Sequence, residues 1–434
     1  MIAMTHWLFP EEQPTVVRSL LELGLIKFSD KRDLPLKSGG KTDIYISLRD
    51  ARNNPSALEY LAELYKMPVR HSRASRFVEV PESVSCFAGL LAVKTGVPYL
   101  TIREQLKEGR ATDAQVIGKS EKGEDVVIMD DVITDGASKI EPYLTCLRLG
   151  LNPKRLIVLV DRQQGWQKKF QEKNIDLPVW PGMSLHDVRR ELILSGAMRR
   201  CDPGQEARNP IIVALDGKSW EEILPFVDRF RTTGVILKVN DLLFALGIER
   251  LLRELSIYGR IMADLKCHDI PATVSNTCKR LRPFSPWAVT VHGSGGPDMV
   301  AAAVKALEGT PTKVLGVTVL TSIDAKTCEE IYVRQPREQV MRIAEMVKQA
   351  GGHGLVCSPE EVRELRTRYP GFNLTTPGVR SPGVGLNDQA RTGTPAVAME
   401  DGADNLVMGR QLLGDQGKDP IDEMNRVLVD ELKR

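Results

Sequence analysis

No two of the seven cysteines (Cys86, Cys146, Cys201, Cys267, Cys278, Cys328, Cys357) are spaced as C-x-x-C, and their number is odd. A disulfide framework or a cysteine-based zinc site would need recurring short spacings, so both are excluded. No apolar run approaches the roughly 18 residues of a membrane span. The opening Met-Ile-Ala-Met-Thr-His-Trp lacks the basic-then-apolar order of a secretory leader. An excess of one charge is missing too: 59 Lys and Arg against 57 Asp and Glu leave a formal net charge of +2, so no polyanion is implied as partner. The expectation is a soluble cytoplasmic protein with neither nucleic-acid nor membrane partners.

What is present is an ordinary globular composition, 42% hydrophobic and 27% charged. At 434 residues the chain exceeds one ordinary core. Residues 198–210 are polar, carry Pro and Gly and show no periodicity, which predicts a linker between domains at 1–197 and 211–434. Both domains alternate strand-like and helix-like segments, the α/β pattern. In the first, strands are expected at 76–80, 98–102, 125–130 and 155–160, with helices near 83–95 and 138–149, as in a doubly wound parallel sheet. The second supplies eight strand candidates, near 211–216, 234–239, 261–266, 287–292, 314–320, 353–357, 372–376 and 404–408. Eight βα units in about 225 residues match a (β/α)8 barrel.

Polar residues recur where those barrel strands end: Asp216, Lys238, Lys266, His292, Thr321 and Ser322. In a barrel they meet at the C-terminal face, where barrel enzymes carry their sites. Period-2 alternation puts Asp264 and Lys266 on one side of the third strand, with Asp269 just beyond it. A carboxylate, an ammonium and a second carboxylate are therefore expected to converge. Thr-Pro-Gly-Val-Arg (376–380) and Met-Gly-Arg (408–410) follow the last two strands, where barrels bind phosphate with backbone N–H groups, and Arg410 adds a forked cation.

The run Asp-Leu-Lys-Cys-His-Asp-Ile-Pro-Ala-Thr (264–273) resembles the signature of the orotidine 5′-monophosphate decarboxylases. The two phosphate loops, Asp388-Gln389 with Arg391, and Thr394-Pro395 fit that family's later motifs, and the likeness covers residues 211–415. The resemblance implies a charged network of Lys238, Asp264, Lys266 and Asp269, with Asp269 and Thr273 serving the neighbouring subunit of a homodimer. It further implies that Asp216 holds the nucleoside and Ser322 meets the pyrimidine. Pro377, Gln389, Gly409 and Arg410 would surround the phosphate, and no metal or organic cofactor is required.

In the first domain, Val126–Lys139 reads Val-Val-Ile-Met-Asp-Asp-Val-Ile-Thr-Asp-Gly-Ala-Ser-Lys. A buried strand ends in two acids, and a hydroxyl- and Gly-bearing loop then opens a helix, a geometry that presents N–H groups to phosphate. Asp130 and Asp131 suit ribose hydroxyls, directly or through Mg2+ and water. The string resembles the phosphoribosyl diphosphate motif of type I phosphoribosyltransferases, with Thr134, Gly136 and Ser138 in its loop.

More of residues 20–195 is similar to the orotate member. Leu-Lys-Ser-Gly-Gly-Lys-Thr-Asp-Ile-Tyr-Ile-Ser-Leu-Arg (36–49) matches its N-terminal signature, with Lys41 as the diphosphate-contacting lysine. Val-Pro-Glu-Ser-Val (80–84) lies where the pyrophosphate loop belongs, and Arg162 of Asp-Arg-Gln (161–163) matches the arginine that reads orotate. In the catalytic loop Arg103 and Lys107 match, but Glu104 replaces a lysine and no histidine follows. Positive charge near the leaving pyrophosphate is thereby reduced.

Together the resemblances imply two consecutive steps of pyrimidine biosynthesis, as in bifunctional uridine monophosphate synthases. Orotate and phosphoribosyl diphosphate, with Mg2+, would give orotidine 5′-monophosphate, which then loses CO2 to give uridine 5′-monophosphate. The alternative keeps the decarboxylase and makes the first domain slow, altered in specificity, or a regulatory diphosphate-sugar binder. Other features read as structural: Gly-Ser-Gly-Gly (293–296) as a tight βα turn, His268 and His353 as histidines without a visible partner, and Lys168, Lys169 and Lys173 as a solvated face.

Overall fold

Two compact units, Met1–Arg199 and Arg200–Arg434, make up the computed structural model. It describes residues 6–29, 33–35, 41–80, 82–102, 116–199, 208–384, 391–413 and 419–434. Met198 packs into the first unit's core. Asn209 donates from its side-chain amide to the Thr233 carbonyl at 2.9 Å and accepts from the Ile211 amide at 3.0 Å. Both ends of the stretch 198–210 are thus already committed to a core.

Two short antiparallel pairs open the first unit, β1 (Ile26–Phe28) with β4 (Ile44–Ile46) and β2 (Leu34–Pro35) with β3 (Lys41–Thr42). A six-stranded sheet follows, formed by β5 (Arg76–Glu79), β6 (Tyr99–Ile102), β7 (Val116–Ile117), β8 (Asp125–Ile133), β9 (Asn152–Asp161) and β10 (Val179–Ser184). The strand order is β10-β9-β8-β5-β6-β7, and every pair is parallel except β6 with β7. Within β8 the stretch Val126–Met129 is continuously apolar because both faces of the strand are covered there. Val127 and Met129 face one core, and Val126 and Ile128 face the other. The order reverses at β5, which lies between β6 and β8, and ligands of open α/β sheets bind beyond the strand ends at such a reversal.

The second unit closes into an eight-stranded parallel barrel. Its strands are β11 (Ile211–Ala214), β12 (Ile236–Val239), β13 (Arg260–Cys267), β14 (Ala288–His292), β15 (Lys313–Val317), β16 (Gly354–Val356), β17 (Asn373–Thr376) and β18 (Asn405–Met408). All eight expected strands are present. β11, β15 and β16 stop one to three residues short of the expected ends, which leaves Asp216 beyond the ladder. Ile212, Ile236, Met262, Ala288, Leu315 and Val407 fill the interior as one apolar layer. Two residues further along the first four of these strands, the inward positions become Ala214, Lys238, Asp264 and Thr290. The barrel floor is hydrocarbon and the next layer is charged.

Candidate active site

A cavity of about 610 Å3 opens over that charged layer at the C-terminal ends of the barrel strands. Asp216, Lys238, Asp264 and Lys266 line one side, and Pro377, Gly378, Arg380, Gly409 and Arg410 line it from the loops after β17 and β18. Lys238 Nζ donates to Asp264 Oδ2 at 3.0 Å and pairs with Asp216, while Lys266 Nζ donates to the same Asp264 oxygen at 2.7 Å. Burial pushes the Asp264 carboxyl up, but Lys238 and Lys266 outweigh it and hold the group below the usual carboxylate range. Burial pulls Lys238 down, yet Asp264 and Asp216 outweigh it and hold the ammonium above its ordinary value. The result is a fixed alternation of opposite charges on a dry floor, with Lys266 as the cation nearer solvent: its side chain is 35% exposed against 8% for Lys238.

Simple alternation does not by itself place Lys266. Ala263 pairs with Val289, but the next partners are Cys267 and Val291, so β13 carries two extra residues there, a bulge. Lys266 sits in the left-handed region at φ 46°, a strained position for a non-glycine residue that the surroundings must hold. Thr290, fully buried on β14, does so. Its hydroxyl accepts from the Lys266 amide at 2.9 Å and donates to Asp264 Oδ1 at 2.8 Å. Asn240 adds a bond from its side-chain amide to the Asp264 carbonyl at 2.5 Å. Sequence reasoning missed Thr290 and Asn240, because each acts through a neighbouring strand and neither sits in a motif.

Asp269 does not join this cluster, contrary to the expected convergence of three charges. It is exposed, and its Oδ1 accepts from the adjacent Ile270 amide at 2.7 Å. Pairing resumes after the bulge at Cys267, where the strand ends, so Asp269 lies two residues beyond the ladder. Thr273 is likewise exposed, on the helix Pro271–Leu281. Thr321 lines the cavity, whereas Ser322 is exposed beside it. Gln389 lies outside the described residues. The Gly-rich turn is a 3-10 helix, Gly293–Gly295. Both histidines have partners after all: the His268 ring lies 5.3 Å from that of His292, and His353 Nδ1 accepts from the Val314 amide at 3.0 Å. Burial, His268 and Lys266 together hold the His292 imidazole below its usual value.

In the first unit, the two loops singled out from the sequence follow the adjacent strands β5 and β8, at the reversal of strand order. The Val80 amide donates to the Met129 carbonyl at 3.0 Å, so the pairing runs up to the loop itself. Asp130 is fully buried, pairs with Lys139 and accepts from the Asp131 amide at 2.8 Å. Asp131 accepts from the Val132 amide at 2.7 Å, and its carboxyl is pushed up to about 7 by burial and by the charge of Asp130. An acid pair with one lysine is the donor chemistry that a hydrated cation or sugar hydroxyls would complete. Among the described residues, no three metal-ligating side chains cluster.

Thr134 is half-buried and Ser138 exposed around the buried Gly136 at the start of the helix Ala137–Arg148. Lys169 pairs with Asp135 of this loop, so it is not merely a solvated lysine. Lys41 is exposed on β3. Arg162 is buried and donates to Thr42 Oγ1 at 2.9 Å and to the Ile44 carbonyl at 3.3 Å. Its fork thus holds the 42–44 segment, which a bidentate Arg189–Asp43 pair also anchors at 3.1 and 3.0 Å. Arg103, Glu104 and Lys107 lie outside the described residues.

The fold and this cavity define a (β/α)8 barrel with a Lys–Asp–Lys chain facing two phosphate-type loops. Residues 209–427 match the family described as orotidine 5′-phosphate decarboxylase / HUMPS. An orotidine 5′-phosphate decarboxylase of Sphingopyxis alaskensis is 40% identical over 214 residues, covering 49% of this chain and 94% of that protein. The chain belongs to this family. Solved structures similar to it include a UMP synthase of Leishmania donovani (26% identity, 44% of this chain and 40% of that one, TM-score 0.38). An orotate phosphoribosyltransferase of Aeropyrum pernix is similar at 24% identity over 42% of this chain and 98% of that one, with a TM-score of 0.35. No helix among the described residues is long and apolar enough to cross a membrane.

Proposed function

We propose that the barrel decarboxylates orotidine 5′-monophosphate to uridine 5′-monophosphate, using the product of a phosphoribosyl transfer to orotate in the first unit. The observation that carries the barrel reading is the position of Lys266 Nζ, 2.7 Å from a buried Asp264 and facing a cavity rimmed by Arg380 and Arg410. The substrate's phosphate sits between the two loops, and its pyrimidine lies over the charged layer. The ring carbon–carboxylate bond breaks, CO2 leaves, and the electron pair stays on the ring carbon. The Lys266 ammonium stabilises that charge and donates its proton to the carbon; the amine is reprotonated from solvent. Asp264 and Lys238 keep Lys266 oriented, so little reorganisation is needed as charge develops. Phosphate binding far from the reacting carbon contributes energy used at the transition state.

In the first unit, an orotate ring nitrogen attacks the anomeric carbon while the bond to pyrophosphate breaks; the electron pair of that bond leaves with pyrophosphate, and the nitrogen's proton passes to solvent. Asp130 and Asp131 hold the ribose hydroxyls and the 134–138 loop takes the 5′-phosphate; Mg2+, entering with the diphosphate near Asp130 and Asp131, would offset its charge. The location of both loops at the sheet's reversal supports this reading. Six free cysteines among the described residues fit a reducing cytoplasm. A homodimer, with Asp269 and Thr273 completing the neighbour's site, accounts for two exposed polar residues in a catalytic motif.

One assay tests both halves: the full chain with Lys266→Ala, given orotate, phosphoribosyl diphosphate and Mg2+. Orotidine 5′-monophosphate is expected to accumulate, with uridine 5′-monophosphate formation reduced at least 1000-fold and nucleotide binding retained. Absence of orotidine 5′-monophosphate defeats the transferase reading. Near-normal decarboxylation defeats Lys266 as proton donor.

A further inference from the structure

Arg380 and Arg410, which line the cavity from separate loops, are each followed by a residue that turns away from the cavity and is buried. Ser381 is 3% exposed and Gln411 is 4% exposed. These two side chains meet behind the rim. Gln411 Nε2 donates to Ser381 Oγ at 2.6 Å, and the Ser381 amide donates back to Gln411 Oε1 at 3.3 Å. The C-terminal helix Pro420–Arg426 closes the cluster. Glu423 Oε1 accepts from Gln411 Nε2 at 2.7 Å, and Arg426 donates to Ser381 Oγ at 2.9 Å and to Glu423 at 2.7 and 3.0 Å. Glu423 is 2% exposed, and the carboxylates of Glu423 and Glu431 hold the Arg426 guanidinium firmly charged.

We infer that Gln411 is a positioning residue for phosphate binding, stapling the loop after β17 to the loop after β18 from behind. The inference rests on the decarboxylase reading of the cavity. The physical reason is the separation of the two guanidinium-bearing loops. They leave different strands, and among the described residues the pairing of β17 with β18 ends at Thr376 and Leu406. A phosphate gripped from both sides needs a fixed spacing, and buried bonds between side chains supply it where the ladder has ended. Deleting either partner leaves a buried polar group unsatisfied, which favours a shifted loop over the native one. Gln411 touches no substrate and acts only through its neighbours Gly409, Arg410 and Ser381.

Gln411→Met preserves length and volume while removing all three of its side-chain hydrogen bonds, and Ser381→Ala removes the hydroxyl that Gln411 and Arg426 share, leaving only the backbone amide of residue 381 on Gln411. Each is measured for steady-state decarboxylation, for the dissociation constant of uridine 5′-monophosphate, and for inhibition by uridine, which lacks the phosphate. For both variants, KM and the nucleotide dissociation constant should rise about tenfold together. The turnover number should stay within threefold and uridine inhibition should not change. The double variant should be no worse than the more affected single one, as for two ends of one bond. Unchanged nucleotide affinity in both folded variants overturns the staple. Equal loss of uridine and nucleotide affinity overturns it as well, because the effect would then be on the whole cavity. If the wild-type chain binds uridine 5′-monophosphate yet fails to decarboxylate, the decarboxylase reading falls, while the affinity comparison still decides the staple.

Discussion

Single residues here are held in states that water would not favour. Lys266 occupies a left-handed backbone conformation with its amide on Thr290, and Asp264 stays ionised in a buried position between two ammoniums. Asp131 in the first unit is the opposite case: burial and the charge of Asp130 push it up to about 7, above the unfolded value of about 3.9. A folded value raised in this way contributes stability that is fully present below the unfolded pKa and is lost as pH rises through about 7. Asp131→Asn removes that dependence. Urea unfolding should show the variant more stable than wild type at pH 8, by on the order of 2 kcal/mol, and no such gain at pH 4. Equal stability differences at both pH values would refute a raised Asp131. The acid motif was legible in the sequence; the sign of its perturbation was not, because it depends on which strands bury it.

Local elements place these residues through features that motif reading captures unevenly. The loop at 134–136 was visible as a Gly-bearing turn into a helix, and the structure supplies the reason for its glycine. Gly136 has φ 79°, and a Cβ there would lie 2.7 Å from Phe170 Cε1 on the helix Trp166–Glu172. Gly136→Ala should therefore cost about 1–3 kcal/mol of stability and weaken diphosphate-sugar binding at least fivefold. Thermal unfolding and titration calorimetry would check the two effects, and an unperturbed variant would show that the helix yields without consequence. The bulge in β13 is the contrary example. Ala-Asp-Leu-Lys-Cys carries no glycine and reads as plain alternation, so the two inserted residues become visible only when β14 supplies the register.

At the scale of the whole molecule, the exposed Asp269 has meaning only if another surface meets it. Phe244 and Ile270, 74% and 65% exposed, are large apolar side chains of the loops and helices after β12 and β13. A homodimer sharing sites predicts complementation. Lys266→Ala and Asp269→Ala chains, each inactive alone, should regain about a quarter of wild-type activity when their subunits are exchanged. Half of randomly paired dimers are then mixed, and one of the two sites in each is intact. No recovery, with exchange verified by mass, would show that Asp269 serves no neighbouring site. Local sequence was enough for the α/β character of both halves, the family of the barrel half and the identity of most charged groups at the barrel mouth. Strand periodicity and loop chemistry are local properties and can be read from neighbours in the chain. Tertiary structure alone decided that Thr290 holds Lys266, that Arg162 is engaged with residues 42–44, that Asp269 faces away, and that Gln411 meets Ser381. Each of these depends on the register of one strand or loop against another far away in sequence, where packing and the need to satisfy buried polar groups act across the closed barrel or sheet.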